Sequence, residues 1–355
     1  MTMELVAAAA IAGVLSFVAV DRWRQVAARY GLLDVPNQRS AHTQPTPRAG
    51  GIAIVALSLA GVVSLAAMHP EWDRTIVVAY VVSALAIAAI GFWDDIRQLP
   101  PALRLACQLV CAVGFTMAAG SWSTVALPGA GEVGLGWLGL PLTVVWLLGL
   151  LNAYNFMDGI DGLAGAQAIV AGAAWVAFGV LFGQPVVTTL GVLLASTSLG
   201  FLGHNWAPAR VFMGDVGSVF LGFSFAALPL MAAEAGPRAA AAAVLVVWPF
   251  VFDTAFTLVR RAVRGETIWM PHRSHLYQRL LPAGYSHAAV STLYASLSAV
   301  GVLLAAVWLS GGPGAGAAVI VSIPVLAAGL WLFVVRQELR HGDAARRSAE
   351  ASPVR

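Results

Sequence analysis

The stretch Trp137–Gly165, WLGLPLTVVWLLGLLNAYNFMDGIDGLAG, sets a long apolar run directly against four polar side chains. Asn152, Asn155, Asp158 and Asp161 recur at every third position, and Gly159, Gly162 and Gly165 follow at the same interval. Residues 137–154 can cross a bilayer as a helix, which takes about 17–25 apolar residues. Ionisable groups at the mouth of such a span are costly and tend to be functional. The stretch therefore reads as a membrane helix that ends in a polar, glycine-rich reversal and then re-enters the bilayer at 163–182.

Working outward, similar windows fall at 4–20, 51–68, 75–92, 101–119, 186–204, 217–234, 239–259, 287–310 and 315–335, making about eleven helices in all. Hydrophobic residues make up 59% of the 355 positions and charged residues 10%, far below the roughly 25% charge of a soluble domain. The expected fold is an all-α polytopic membrane protein: a single domain over 1–335 and a charged, disordered or surface-lying tail over 336–355. Residues 4–20 read as a retained span, because no charged segment precedes them and no cleavage site follows. All 20 basic residues are arginine, so an anion site must use guanidinium forks or backbone N–H groups. With the N-terminus outside, only Arg74 and Arg238 fall on the outer side. The positive-inside rule then makes the arginine-rich face cytoplasmic. Cys107 and Cys111 lack further ligands nearby and read as small apolar residues.

Every dense polar motif falls on that one face. Asp94 and Asp95 end a span in GFWDDIRQ, Asp215 opens another in MGDVGS, and Asp158 and Asp161 lie in the opening stretch. Such hard oxygen ligands suit Mg²⁺ or Mn²⁺, and Mg²⁺ uses one or two carboxylates and leaves the rest to water and phosphate. Glycines on both sides of Asp215 allow close backbone approach, and the helix N-terminus beside them offers N–H groups to an anion. In MPHRSHLYQRL, His272 and His275 flank Arg273, a pattern suited to a phosphate or a sugar. Asp253 lies inside a span and reads as a structural partner for an unidentified group.

Five motifs in order, DVPNQRSAH…PTPRAGG, GFWDD, NAYNFMDGIDGLAG, NWAPARVFMGDVGS and PHRSHLYQRL, resemble those of the polyprenyl-phosphate N-acetylhexosamine-1-phosphate transferases, a glycosyltransferase family 4 type. The resemblance runs from about Asp34 to Arg279. It implies a Mg²⁺-dependent transfer, with Mn²⁺ as an alternative ion. A UDP-N-acetylhexosamine would give its sugar-1-phosphate to undecaprenyl phosphate in the bacterial inner membrane, with UMP leaving. The resemblance also implies roles: Asn155 and Asp215 as metal-site residues, and Asp94, Asp95 and Asp215 as catalytic. Asn152, Asp158 and Asp161 would bind substrate, the two aspartates on the nucleotide side. Phe212 would stack on uracil, and Arg48, His272, Arg273 and His275 would contact diphosphate and sugar. One branch carries a basic residue shortly after the aspartate pair; here only Arg97 or Gln98 falls nearby. The histidine loop lacks three consecutive histidines, which points away from a muramyl-pentapeptide substrate. It points toward N-acetylglucosamine or 6-deoxy amino sugars for surface polysaccharide, such as the O-antigen of lipopolysaccharide. No nucleic acid is expected as a partner, and a homodimer is compatible with the sequence. A multispan secondary transporter with intramembrane aspartates is the alternative reading.

Overall fold

The computed structural model describes residues 3–36, 44–232, 236–267, 270 and 272–350; Asn37 to Thr43 of the first motif lie outside the described residues. The chain runs α1 (Met3–Arg29), β1 (Leu33–Asp34), β2 (Thr46–Pro47), α2 (Ile52–Met68), α3 (Arg74–Arg97), α4 (Pro101–Ala119), β3 (Thr124–Leu127), β4 (Gly131–Gly134), α5 (Gly139–Phe156), α6 (Leu163–Leu181), α7 (Pro185–Asn205), α8 (Gly214–Met231), α9 (Ala239–Val246), α10 (Trp248–Val263), α11 (Leu276–Leu280), α12 (His287–Ser310) and α13 (Ala315–Glu350). Among the described residues, nine helices are long and apolar enough to cross a membrane, α9 and α10 form a further bent pair, and α2 is a shorter apolar helix. These elements occupy every window read from the sequence, so the chain is an all-α polytopic membrane protein.

Two boundaries differ from expectation. The window 239–259 is two helices meeting at 79° around Val247. Pro249 sits in the first turn of α10 and has no N–H to give the carbonyl one turn back, so the helix breaks there. At the other end, α13 continues past residue 335 to Glu350, where the sequence reads as a tail.

The α8 helix is the axis of the bundle. It is almost wholly buried and packs on α3 and α5, while α1 and α13 expose most of their apolar surface. Small residues let the backbones meet, since lipid offers no hydrophobic drive between helices. A side chain at Gly91 of α3 would strike the Asp215 carbonyl oxygen at 2.7 Å, and one at Gly222 would strike Leu151 Cα of α5 at 2.6 Å. Polar groups inside the bundle are paired across helices: Tyr80 with Ser224 at 2.8 Å, and Ser58 with Thr197 at 3.1 Å. The C-terminal ends of α3 and α5 and the N-terminal end of α8 therefore lie together, and their polar tips meet.

Candidate functional site

The first motif is zipped onto the fourth by backbone hydrogen bonds. Phe212 N–H donates to the Pro47 carbonyl at 2.8 Å, and Gly50 and Gly51 N–H donate to the carbonyls of Phe212 and Met213 at 2.9 Å each. This places Arg48 and half-buried Phe212 beside the start of α8.

Asp94 and Asp95, one residue apart on a helix, point about 100° away from each other. Asp95 turns inward and is 4% exposed. It accepts from Asp215 N–H and Val216 N–H at 3.1 Å each and from Arg48 Nη2 at 2.7 Å. It thus caps α8 from another helix, satisfying N–H groups that a helix start leaves open and facing the positive end of its dipole. Gly214, at φ +75°, makes the turn into α8. A Cβ there would lie 2.6 Å from Asp95 Oδ2 and 2.8 Å from Ala49 Cα. Gly214→Ala is therefore expected to cost about 1–3 kcal/mol and to lower the melting temperature of the detergent-purified protein. Unchanged melting would contradict the contact.

Asp94 faces the other way. Gln98, at φ +49°, ends α3, and Leu99 N–H turns back onto Asp94 Oδ1 at 2.6 Å. Arg104 Nη1 reaches Asp94 Oδ2 at 2.6 Å and Asp215 Oδ2 at 3.2 Å. Arg104 is the basic side chain that pairs with these aspartates, whereas the sequence has Arg97 or Gln98 nearer to them in the chain. Arg97 is exposed instead. The signal lay in Pro100 and Pro101, which fold the first turn of α4 back over the last turn of α3.

Asp215 Oδ1 accepts from Asn155 Nδ2 at 2.9 Å, and the same nitrogen reaches Ser218 Oγ at 2.9 Å. Asp158, half-buried in the turn after α5, has no side-chain hydrogen bond among the described residues. Burial, and then the charges of Asp215, Asp95 and Asp161, push its carboxyl well above the usual range. Asp161 is a strut: it accepts from Ala209 N–H at 3.0 Å, its own N–H donates to His287 Nδ1 at 3.3 Å, and Ser291 Oγ donates to its carbonyl at 2.8 Å. The turn is thereby tied to α12 and to the loop before α8.

A cavity of about 470 Å³ opens next to these groups, lined by residues that include Arg104, Gln108, Asn152, Phe156, His272 and His275, within the size range of small-molecule sites. Asn152 Nδ2 bonds Gln108 Oε1 at 3.1 Å and the Leu148 carbonyl at 2.9 Å. The histidine loop closes one wall. His272 lies half-buried there, and burial, then neighbouring His275 and Arg261, bring its pKa down to about 4. His275 is 2% exposed and pairs with Asp253 at 3.2 Å, which supplies the partner of Asp253 that the sequence left open. Arg273, expected at the substrate, is exposed on the loop and is not among the cavity-lining residues.

The structure thus gathers Asp94, Asp95, Asn155, Asp158 and Asp215 around one point, and joins them through Arg104 to a cavity walled by Asn152, His272 and His275. Arg48 is tied to this group through Asp95, Phe212 lies beside the start of α8 and is not among the cavity-lining residues, and Asp161 braces the scaffold. Among the described residues no three His, Cys, Asp or Glu side chains are grouped so that they could hold a metal ion. The two residues that would hold a Mg²⁺, Asp215 and Asn155, lie side by side, joined at 2.9 Å. Magnesium keeps waters and substrate phosphates in its remaining positions.

The sequence model of glycosyl transferase family 4 matches residues 77–233, from α3 to just past α8. A probable undecaprenyl-phosphate N-acetylglucosaminyl 1-phosphate transferase of Bacillus subtilis is 32% identical over 296 residues, covering 81% of this chain and 82% of its own. A decaprenyl-phosphate N-acetylglucosaminephosphotransferase of Mycolicibacterium smegmatis is 33% identical over 323 residues, covering 82% and 79%. A phospho-N-acetylmuramoyl-pentapeptide-transferase of a Synechococcus species is 33% identical over 280 residues, covering 74% and 79%. With the aspartate tips, the arginine between them and the histidine wall in one place, these likenesses make the chain a member of glycosyl transferase family 4, among its polyprenyl-phosphate hexosamine-1-phosphate transferases.

Proposed function

We propose that this protein transfers N-acetylhexosamine-1-phosphate from a UDP-sugar to undecaprenyl phosphate and releases UMP. In this reading the sugar is N-acetylglucosamine or a 6-deoxy relative, the ion is Mg²⁺, and the product starts a lipid-linked cell-wall or surface glycan. The observation that carries the reading is that Arg104, a residue of the cavity wall, joins Asp94 to Asp215, while Asp215 is bonded in turn to Asn155. The relatives named for N-acetylglucosamine match more of the chain than the muramoyl-pentapeptide enzyme does. That bias agrees with the broken histidine run. The arginines gather at the same end as these motifs, which supports a cytoplasmic site at the inner membrane.

The main obstacle to transfer is charge, because a phosphate monoester with a second pKa of about 6 must approach a diphosphate. Arg104 supplies positive charge at the cavity wall, and Arg48, anchored by one nitrogen on Asp95, carries further N–H groups for a phosphate. A bound Mg²⁺ would supply Lewis-acid polarisation of the diphosphate oxygens and stabilise the leaving UMP. Asp95 contributes by holding α8, and with it Asp215, in register. The lipid phosphate oxygen attacks the β-phosphorus in line, and the electron pair of the broken P–O bond leaves with UMP.

A panel of UDP-amino sugars offered to the purified protein with Mg²⁺ and undecaprenyl phosphate tests this. UDP-N-acetylglucosamine should give lipid-dependent UMP, and EDTA should abolish the reaction until Mg²⁺ is restored. Failure of every UDP-amino sugar contradicts the reading. Exchange of free UMP into UDP-sugar without lipid would replace direct attack by a covalent enzyme intermediate.

The low pKa of His272 gives a pH prediction. A group depressed to about 4 stays neutral from pH 5.5 to 8, so His272 contacts substrate as a hydrogen-bonding imidazole rather than a cation. The sign for stability follows. Between its ordinary pKa and about 4 the unfolded chain takes up the proton and the fold does not, so this contribution is lost as pH falls. His272→Asn should lower kcat/KM by roughly 10-fold without moving any limb of the kcat/KM profile in that range, since that profile reports free-enzyme ionisations. Loss of a limb near pH 6.5 would show that His272 titrates normally.

A further inference from the structure

The histidine wall holds a more specific device, and the argument rests on the transfer reading above. Asp253 of α10 is wholly buried. Its carboxylate receives five donors: His275 Nδ1 at 3.2 Å, Leu276 N–H at 2.8 Å, Tyr277 N–H at 3.0 Å, Tyr294 OH at 2.6 Å and Thr257 Oγ1 at 3.1 Å. The two backbone donors open α11, so Asp253 fixes the end of the histidine loop to α10, just beyond the 79° bend. A carboxylate can only accept, which puts the imidazole proton of His275 on Nδ1. His275 is among the residues lining the cavity, and with Nδ1 engaged Nε2 is the ring nitrogen that has no protein partner among the described residues.

His272 is wired the other way. Its Nδ1 accepts the Ser274 backbone N–H at 3.4 Å and lies 3.0 Å from Ser274 Oγ. A backbone N–H can only donate, so the proton of a neutral His272 sits on Nε2. The two rings are 4.9 Å apart, centre to centre, on the same wall. One therefore offers the cavity an N–H and the other a lone pair. A monoprotonated phosphate ester has the matching pair, an anionic oxygen and a P–OH.

Asp94 and Asp95 cannot readily serve as the base. Asp94 is held by Arg104 and Leu99 N–H, and Asp95 by Arg48 and two N–H groups of α8. We infer that Asp253 is a positioning residue that makes His275 Nε2 the proton acceptor for the phosphate of the lipid substrate, with His272 Nε2–H holding a neighbouring oxygen. In the step, the P–OH proton moves to His275 Nε2 and its bonding pair stays on the oxygen. That oxygen forms the new bond to the β-phosphorus, and the bond to UMP breaks with its electron pair on UMP. The imidazolium is stabilised by the Asp253 carboxylate until its proton passes to the departing UMP or to water.

Two measurements on the full-length protein in detergent test this. Imidazole nitrogen NMR at pH 8, with the His275 and His272 signals assigned by their loss in His275→Gln and His272→Gln, should show His275 protonated on Nδ1 and His272 on Nε2. The same tautomer at both rings, or His275 protonated on Nε2, overturns the inference. In the kinetic arm, His275→Gln should lower kcat by roughly 100-fold with KM for the UDP-sugar changed less than about 3-fold. Asp253→Asn should lose at least about 10-fold, and Asp253→Asn/His275→Gln should be no slower than His275→Gln alone within about 3-fold. Losses that multiply in the double variant would mean that Asp253 does not act through His275. If Asp253→Asn does not fold, the NMR arm and the kcat of His275→Gln still decide. Absence of UMP release by the wild-type protein sinks the transfer reading itself, whereas a turning-over wild type with an unaffected His275→Gln sinks only this inference.

Discussion

Asp215→Asn is expected to lower turnover by about 1,000-fold or more, roughly 4 kcal/mol of barrier, while the melting temperature stays level or rises. The two halves have separate causes. Asparagine keeps the shape and leaves Oδ1 to accept from Asn155; it gives up the longer of Arg104's two contacts, at 3.2 Å, while the 2.6 Å contact to Asp94 stays, and it removes one charge from a group that also holds Asp94, Asp95 and Asp158. Like charges crowded together oppose one another's ionisation, so folding loses little. Catalysis loses the carboxylate that would face the cation and the diphosphate. Activity measured as UMP release, beside a thermal melt of the same preparation, checks both halves. Near-normal turnover would remove Asp215 from the metal site, and collapse of the fold would make it a structural residue.

The second large effect falls on Arg104. Its Nη1 is shared between Asp94 and Asp215 at 2.6 and 3.2 Å. Arg104→Met leaves the two carboxylates facing each other and removes a cation from the cavity wall. Breaking a buried pair by deleting one partner costs about 3–5 kcal/mol; with the Arg104 side chain 23% exposed, part of that is screened by solvent. We expect a melting temperature several degrees lower and kcat/KM down by about 100-fold or more. Arg104→Lys should recover part of the loss, since an ammonium keeps the charge without the planar fork. Arg97→Met is the control: Arg97 is exposed, and its loss should change kcat/KM by less than about 3-fold. Equal effects of the Arg97 and Arg104 variants would contradict this placement of the basic residue.

The fold was largely readable because apolar length and arginine placement are strong local signals. Windows such as 163–182 and 186–204 became α6 and α7 almost residue for residue. The signal failed where geometry, not composition, decides. The window 239–259 is uniformly apolar, yet Pro249 bends it. The site residues were visible as residue types, since aspartates at span ends stand out against so apolar a background. Their division of labour was not. Asp94 and Asp95 look alike as a pair, but helical rotation sends one to Arg104 and the other beneath α8 as its cap. Asp161 carries the same glycine-flanked signature as Asp158, yet it braces α12 while Asp158 is left unpaired. The links from Asp253 to His275 and from Arg104 to Asp215 span 22 and 111 positions of the chain. No periodicity reports such contacts; they come from how the helices pack.

The central claim is that the β-phosphate travels with the sugar, which separates a phosphoryl transfer at these aspartates from an ordinary glycosyl transfer. The most direct measurement uses UDP-N-acetylglucosamine carrying label only in the β-phosphate, with Mg²⁺, undecaprenyl phosphate and the purified protein. The account predicts label in the lipid product and unlabelled UMP in solution, with both abolished in Asp215→Asn. Label retained in soluble UDP, or label transferred to lipid at an undiminished rate by Asp215→Asn, would contradict it.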